Sequence, residues 1–191
     1  PQNPKTPCAY LIIINMTKSF AYLAALAAIA SQAYADKCYA IAFSSGDQTS
    51  AYQVGVLKGL VEQSAPGETS YSAVSGVSGG AVNAVIMASF PVGQEAAAVE
   101  RMQSFWDNSA NTKLWKDWAG GLAEGLLVKG GLYNNKPLLN FLTTEMADIL
   151  PNQRFVDVGL TDVLTGQYQD FYAGDLVGSE LAQVMLGSFD Y

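Results

Sequence analysis

Residues 71–88 carry Gly76-Val77-Ser78-Gly79-Gly80 between a short β-type run (71–74) and an apolar helical run (81–88). A G-x-S-x-G pentapeptide in that setting demands a sharp turn that lifts the serine hydroxyl clear of the backbone, exposed at the top of a sheet. Glycines on either side permit strained dihedrals and close approach of neighbouring segments. The turn thus calls for a buried strand behind it and a buried helix ahead of it. The chain has no histidine, so a Ser-His-Asp triad cannot be assembled from it. If Ser78 is a nucleophile, something other than imidazole takes its proton. Two blander readings stand beside this one. The turn serves tight packing with Ser78 capping the helix, or the helix N-terminus binds an anion. The Lys-Ser/Thr pair of a P-loop is missing, which disfavours nucleotide.

Periodicity on both sides gives an α/β order. Residues 38–43 form an uninterrupted β-compatible run, suited to a strand buried on both faces. A polar loop (44–50) leads to a helix over 51–63, with Val54, Leu57 and Val61 on its stripe and Lys58 and Glu62 off it. Pro66-Gly67 marks a turn before the second strand. This βαβα order predicts parallel strands with right-handed crossovers. Downstream, the pattern predicts helices over 94–106 and 137–150, the latter with Pro137 in its first turn. Strands over 155–162 and 167–172 form a hairpin around Leu164-Thr165-Gly166, and a last helix spans 179–186. A length of 191 residues with no repeats or linkers suits one folded domain.

Charge narrows the partners. The formal net charge is −7 and no basic stripe is visible, which argues against nucleic acid. From Asp36 onward there are 8 basic and 17 acidic residues, so attraction to anionic membranes by charge alone is not expected. Cys8 and Cys38 make neither a disulfide framework nor a metal cluster.

The N-terminal region has the layout of a secretory signal. Met16-Thr17-Lys18 supplies a short positive start, residues 20–29 an apolar stretch, and Ala33-Tyr34-Ala35 a cleavage site. The expectation is upstream sequence over 1–15, a signal peptide over 16–35 cleaved after Ala35, and a domain over 36–191. That places the protein outside the cell or in the secretory or vacuolar lumen. An anchor combining 11–14 with 20–30 is the competing reading. Asn15 and Lys18 interrupt it, and neither half is long enough to span a bilayer.

Several ordered matches point to a family: residues 40–50, the run Ala51-Tyr52-Gln53-Val54-Gly55-Val56-Leu57, and residues 74–84. Gly131-Leu132-Tyr133, Pro137-Leu138 and Thr161-Asp162-Val163-Leu164-Thr165-Gly166 follow in order. On these the chain resembles a patatin-like phospholipase domain, of the secreted type found in ciliates, over most of 37–191. The resemblance implies a three-layer α/β/α sandwich with a mostly parallel central sheet, truncated at its C-terminus. It implies a lipid acyl hydrolase with a Ser-Asp dyad and no metal or other cofactor. Ser78 is then the nucleophile, and the backbone N–H groups of Gly46, Asp47 and Gly79 hold the oxyanion. The implied substrates are fatty acyl esters of phospholipids and neutral lipids, met in transient contact with a membrane surface.

Two departures bear on that expectation. The family's loop after the first strand reads G-G-G-x-K/R-G, whereas Ser45-Gly46-Asp47-Gln48-Thr49-Ser50 retains only Gly46. Asp47 brings a carboxylate close to where negative charge develops, and Thr49 stands where a cation belongs. The dyad aspartate of the family lies in an Asp-Gly-Gly or Asp-Gly-Ala triplet, and this chain has no Asp-Gly dipeptide. The expected base therefore lies beyond Tyr191, with Asp162 and Asp170 read as turn or surface carboxylates and Asp190 matching only the segment before the triplet. A catalytically inactive lipid-binding or storage protein is the alternative function. The stretch 115–132, with Trp115, Trp118 and Leu126-Leu127-Val128, reads as an interfacial patch or as core. Core is preferred, because aromatic side chains are usually buried.

Overall fold

The computed structural model describes residues 38–189 apart from 66 and 130. The expectations for residues 1–35, Cys8 and Asp190 lie outside the described residues. Four strands form one sheet in sequence order: β1 (Tyr39–Phe43), β2 (Tyr71–Val77), β3 (Phe155–Thr161) and β4 (Tyr168–Tyr172). β1, β2 and β3 run parallel, and β4 returns antiparallel to β3. The register pairs Phe43 with Gly76 and Gly76 with Val158, so the strands end together just before Ser78. This is the mostly parallel α/β architecture expected from the sequence.

Helix α1 (Ala51–Gln63) joins β1 to β2. Between β2 and β3 lie α2 (Gly79–Ala88), α3 (Glu95–Ala110) and α4 (Lys136–Glu145), and α5 (Gly178–Phe189) follows the hairpin. Successive parallel strands step in one direction, so right-handed crossovers deliver both connections to one face. Phe43, Val74, Val156 and Val158 are buried on that face, and Leu160 packs against the same core. On the other face Ala40, Ala42, Thr161, Tyr168, Asp170 and Tyr172 are exposed. Among the described residues β1 is consequently an edge strand covered on one face, not a strand buried on both. Its alternation escaped the sequence reading because the outward positions are alanines, which are neither polar nor large.

The helices follow their apolar stripes. Every residue of α2 is buried, as a helix apolar all round must be. In α1 the buried positions are Val54 and Leu57. Pro137 sits in the first turn of α4 as expected, but the helix stops at Glu145. Met146 and Ile149 stay buried in the turn beyond it, which is why the apolar spacing runs past the helix end. The hairpin is closed by Asp162, whose Oδ1 accepts from the N–H groups of Leu164 (2.8 Å) and Thr165 (3.1 Å). No helix among the described residues is long and apolar enough to cross a membrane.

At the end of the sheet away from Ser78, Arg154 is fully buried and meets Glu95 at 2.7 Å. Its remaining donors reach the carbonyls of Phe90 (2.8 Å), Tyr71 (2.6 Å) and Pro91 (2.7 Å). One guanidinium thus ties together the start of β2, the α2–α3 connection and the entry to β3.

Candidate active site

β2 runs straight into Ser78, which adopts φ 56° and ψ −129° before α2 begins. A non-glycine residue in that region is strained and is held there only when its surroundings dictate it. Gly76 and Gly80 make the turn possible. A Cβ on Gly76 would run into the carbonyl of Gly80, and one on Gly80 into the carbonyls of Phe43 and Ser44. The elbow is therefore pressed against the end of β1. Ser78 does not cap α2 with its side chain, which removes the bland capping reading.

The loop after β1 packs on the other side of the elbow as a 3₁₀ turn, Asp47–Ser50. Asp47 has φ 47°, a left-handed conformation at a position where the family pattern has glycine. The Thr49 hydroxyl donates to the Gly46 carbonyl and fixes the turn. A Cβ on Gly79 would lie 2.5 Å from both the Asp47 carbonyl and the Ser50 hydroxyl. Of the positions named from the sequence for the oxyanion, Gly79 thus packs against the Asp47 carbonyl, and Gly46 lies on the same Ser50 hydroxyl that borders Gly79.

A buried polar chain holds this loop to the helices. Asn83 on α2 accepts from Trp106 Nε1 at 2.8 Å and donates to the Ser50 carbonyl at 3.1 Å and to Gln53 Oε1 at 3.2 Å. Gln53 in turn donates to the Ser44 carbonyl at 2.7 Å. None of these roles was read from the sequence. Asn83, the lone polar residue in an otherwise apolar helix, was the available signal.

The Ser78 hydroxyl is not open to a cleft. The residue is 4% exposed, and the hydroxyls of Ser78 and Ser50 are buried with no hydrogen-bond partner among the described residues. The sequence reading placed the Ser78 hydroxyl clear and exposed, and the structure corrects this. α5 is fastened to the elbow here: Ser188 accepts from the Ser78 N–H at 2.7 Å and donates to the Gly159 carbonyl at 2.8 Å. Beside this contact lies a groove of about 800 Å³, whose lining includes Val77, Gly159, Ser188, Trp118, Lys129 and Tyr133.

Asp162 is occupied in its turn. Asp157 and Asp170 lie on the hairpin face away from the core, where burial first and the Asp170 charge second raise the Asp157 carboxyl above its ordinary value. Tyr168 is raised chiefly by its hydrogen bond to Asp170. The stretch 115–132 divides. Trp115 packs against the core, as expected, and Trp118 donates to the Gly131 carbonyl at 3.0 Å. Leu126, Leu127 and Val128 are instead exposed.

A serine at positive φ between a parallel strand and a buried helix is the geometry of a nucleophile elbow on an α/β fold. A family model for patatin-like phospholipases matches residues 41–188, and the chain belongs to that family of lipid acyl hydrolases. No curated protein matches the chain.

Proposed function

We propose that this protein is a secreted lipid acyl hydrolase in which Ser78 is the nucleophile. The observation that carries the reading is the strained Ser78 backbone combined with a hydroxyl that has no hydrogen-bond partner among the described residues. In this reading Ser78 Oγ attacks the ester carbonyl, and the lipid alcohol leaves with a proton. Water then cleaves the acyl-enzyme to release a fatty acid and restore the hydroxyl. The base is an aspartate from outside the described residues. The N–H groups of Gly79 and of the Gly46–Asp47 loop hold the oxyanion, and losing one such donor costs about 10²–10³ in rate. Substrate reaches Ser78 from the adjoining groove once the last turn of α5 gives way at Ser188. Secretion is through residues 16–35, with cleavage after Ala35.

The second reading, a catalytically inactive homologue that binds or stores lipid, is favoured by two features. Asp47 sets a carboxylate in the loop, and the Ser78 hydroxyl is covered. A fluorophosphonate probe on the full-length secreted protein, with the aspartate base present, separates the two. The hydrolase reading expects labelling that Ser78→Ala abolishes, and an unlabelled wild type favours the inactive homologue.

A further inference from the structure

The segment from Lys113 to Lys136 leaves the body of the domain and returns to it. Its base is closed by a bridge in which Lys116 and Asn134 exchange backbone hydrogen bonds of 3.3 and 2.8 Å. Within it, Trp118 Nε1 donates to the Gly131 carbonyl, and the Gly131 N–H donates to the Gly125 carbonyl at 3.2 Å. The tip is a helical turn, Gly121–Glu124, running into a π-helical turn, Gly125–Lys129. At this tip Leu126, Leu127 and Val128 are 64%, 84% and 72% exposed, and Leu122 and Leu132 are exposed beside them. Consecutive large apolar side chains turned outward on a braced loop are costly in water unless something covers them.

Charge indicates what does. The loop carries four exposed lysines, Lys113, Lys116, Lys129 and Lys136, against two acids, Asp117 and Glu124. Arg101 and Arg154 are held in ion pairs elsewhere, which leaves Lys58 as the other described cation. Four of the seven described cations thus lie on the segment that carries the exposed Leu126-Leu127-Val128 run, Lys129 among them also meeting Glu124 at 4.0 Å. The net charge of −7 hides this segregation. Leucines at a tip with lysines at the flanks match a bilayer surface. The leucines enter the boundary between headgroups and acyl chains, and the lysines meet anionic headgroups.

We propose that this loop docks the protein on a lipid surface that bears anionic headgroups. The proposal deepens the hydrolase reading and rests on it for its purpose. Trp118, Lys129 and Tyr133 of the same loop line the groove that runs to Val77 and Ser188, so a docked loop sets the groove mouth against the lipid. Binding itself needs no catalysis, and Ser78→Ala should bind as wild type does.

The test is co-sedimentation of the full chain with phosphatidylcholine vesicles, with and without phosphatidylserine. Wild type should bind the phosphatidylserine vesicles, and less at high salt. A Leu126→Ser/Leu127→Ser/Val128→Ser variant should bind at least about tenfold more weakly, with unchanged thermal stability because these side chains are exposed. Lys113→Gln/Lys116→Gln/Lys136→Gln should lose about tenfold on phosphatidylserine vesicles alone. Wild type that ignores these vesicles, prefers pure phosphatidylcholine, or binds undiminished after the serine substitutions overturns the proposal. So does loss of self-association in the serine variant with no vesicle binding by wild type, since the patch then meets a second copy. A chain that binds vesicles but resists fluorophosphonate refutes the hydrolase reading and leaves this one standing. A chain labelled at Ser78 but indifferent to vesicles does the reverse.

Discussion

Ser50 and Ser78 each bury a hydroxyl with no hydrogen-bond partner among the described residues, at two points that flank Gly79. An unsatisfied buried hydroxyl costs about 1–3 kcal/mol, and a fold that keeps two in contact with one turn is spending stability at that turn. Ser50→Ala should therefore leave the melting temperature unchanged or raise it, by up to about 1 kcal/mol of stability, read by thermal denaturation. A clear loss of stability would mean that the hydroxyl holds the loop. At this scale the sequence displayed some residues and concealed others. Ser78 and its glycines were legible because a pentapeptide encodes a local backbone requirement. Asp47 was legible as a carboxylate standing in a glycine position, and its φ of 47° bears that out. The burial of Ser50 and the bond from Ser188 were not legible, because both depend on segments packed together from far apart in the chain.

Among the elements, the hairpin of β3 and β4 carries a load that shows in its titration. Asp157 is opposite Tyr172, and Asp170 is opposite Gly159 two pairs further on, on the same face. Burial and the neighbouring Asp170 raise the Asp157 carboxyl, so the folded chain holds that proton more tightly than the unfolded one does. Stability is then favoured below the ordinary carboxylate range and falls as pH rises through the raised value. Asp157→Asn should melt higher than wild type at about pH 7 and no differently at about pH 3, where both are neutral. Equal melting temperatures at neutral pH would contradict this. Strand and helix identities were readable from period 2 and period 3.6 patterns. The errors have physical sources: alanines in β1 disguised an open face, and Met146 and Ile149 extended the apolar spacing of α4 beyond its last helical residue.

For the whole molecule, the Arg154–Glu95 pair is a long-range tie that no sequence pattern announces, since neither residue lies in a recognisable motif. Arg154→Met would strand Glu95 in the interior and free three carbonyls, for an expected loss of about 3–5 kcal/mol, measured by denaturant unfolding. Arg154→Met with Glu95→Leu should recover part of it, and a double variant no better than the single one would show that the carbonyl contacts dominate. The opposite end of the sheet is fastened differently. The Ser188 hydroxyl lies 110 residues from the amide it receives and grips the Gly159 carbonyl at the same time. The last turn of α5 is thus a latch across the elbow. A force that lifts it breaks both bonds together, so the elbow and the β3 carbonyl are pinned by one side chain far away in sequence.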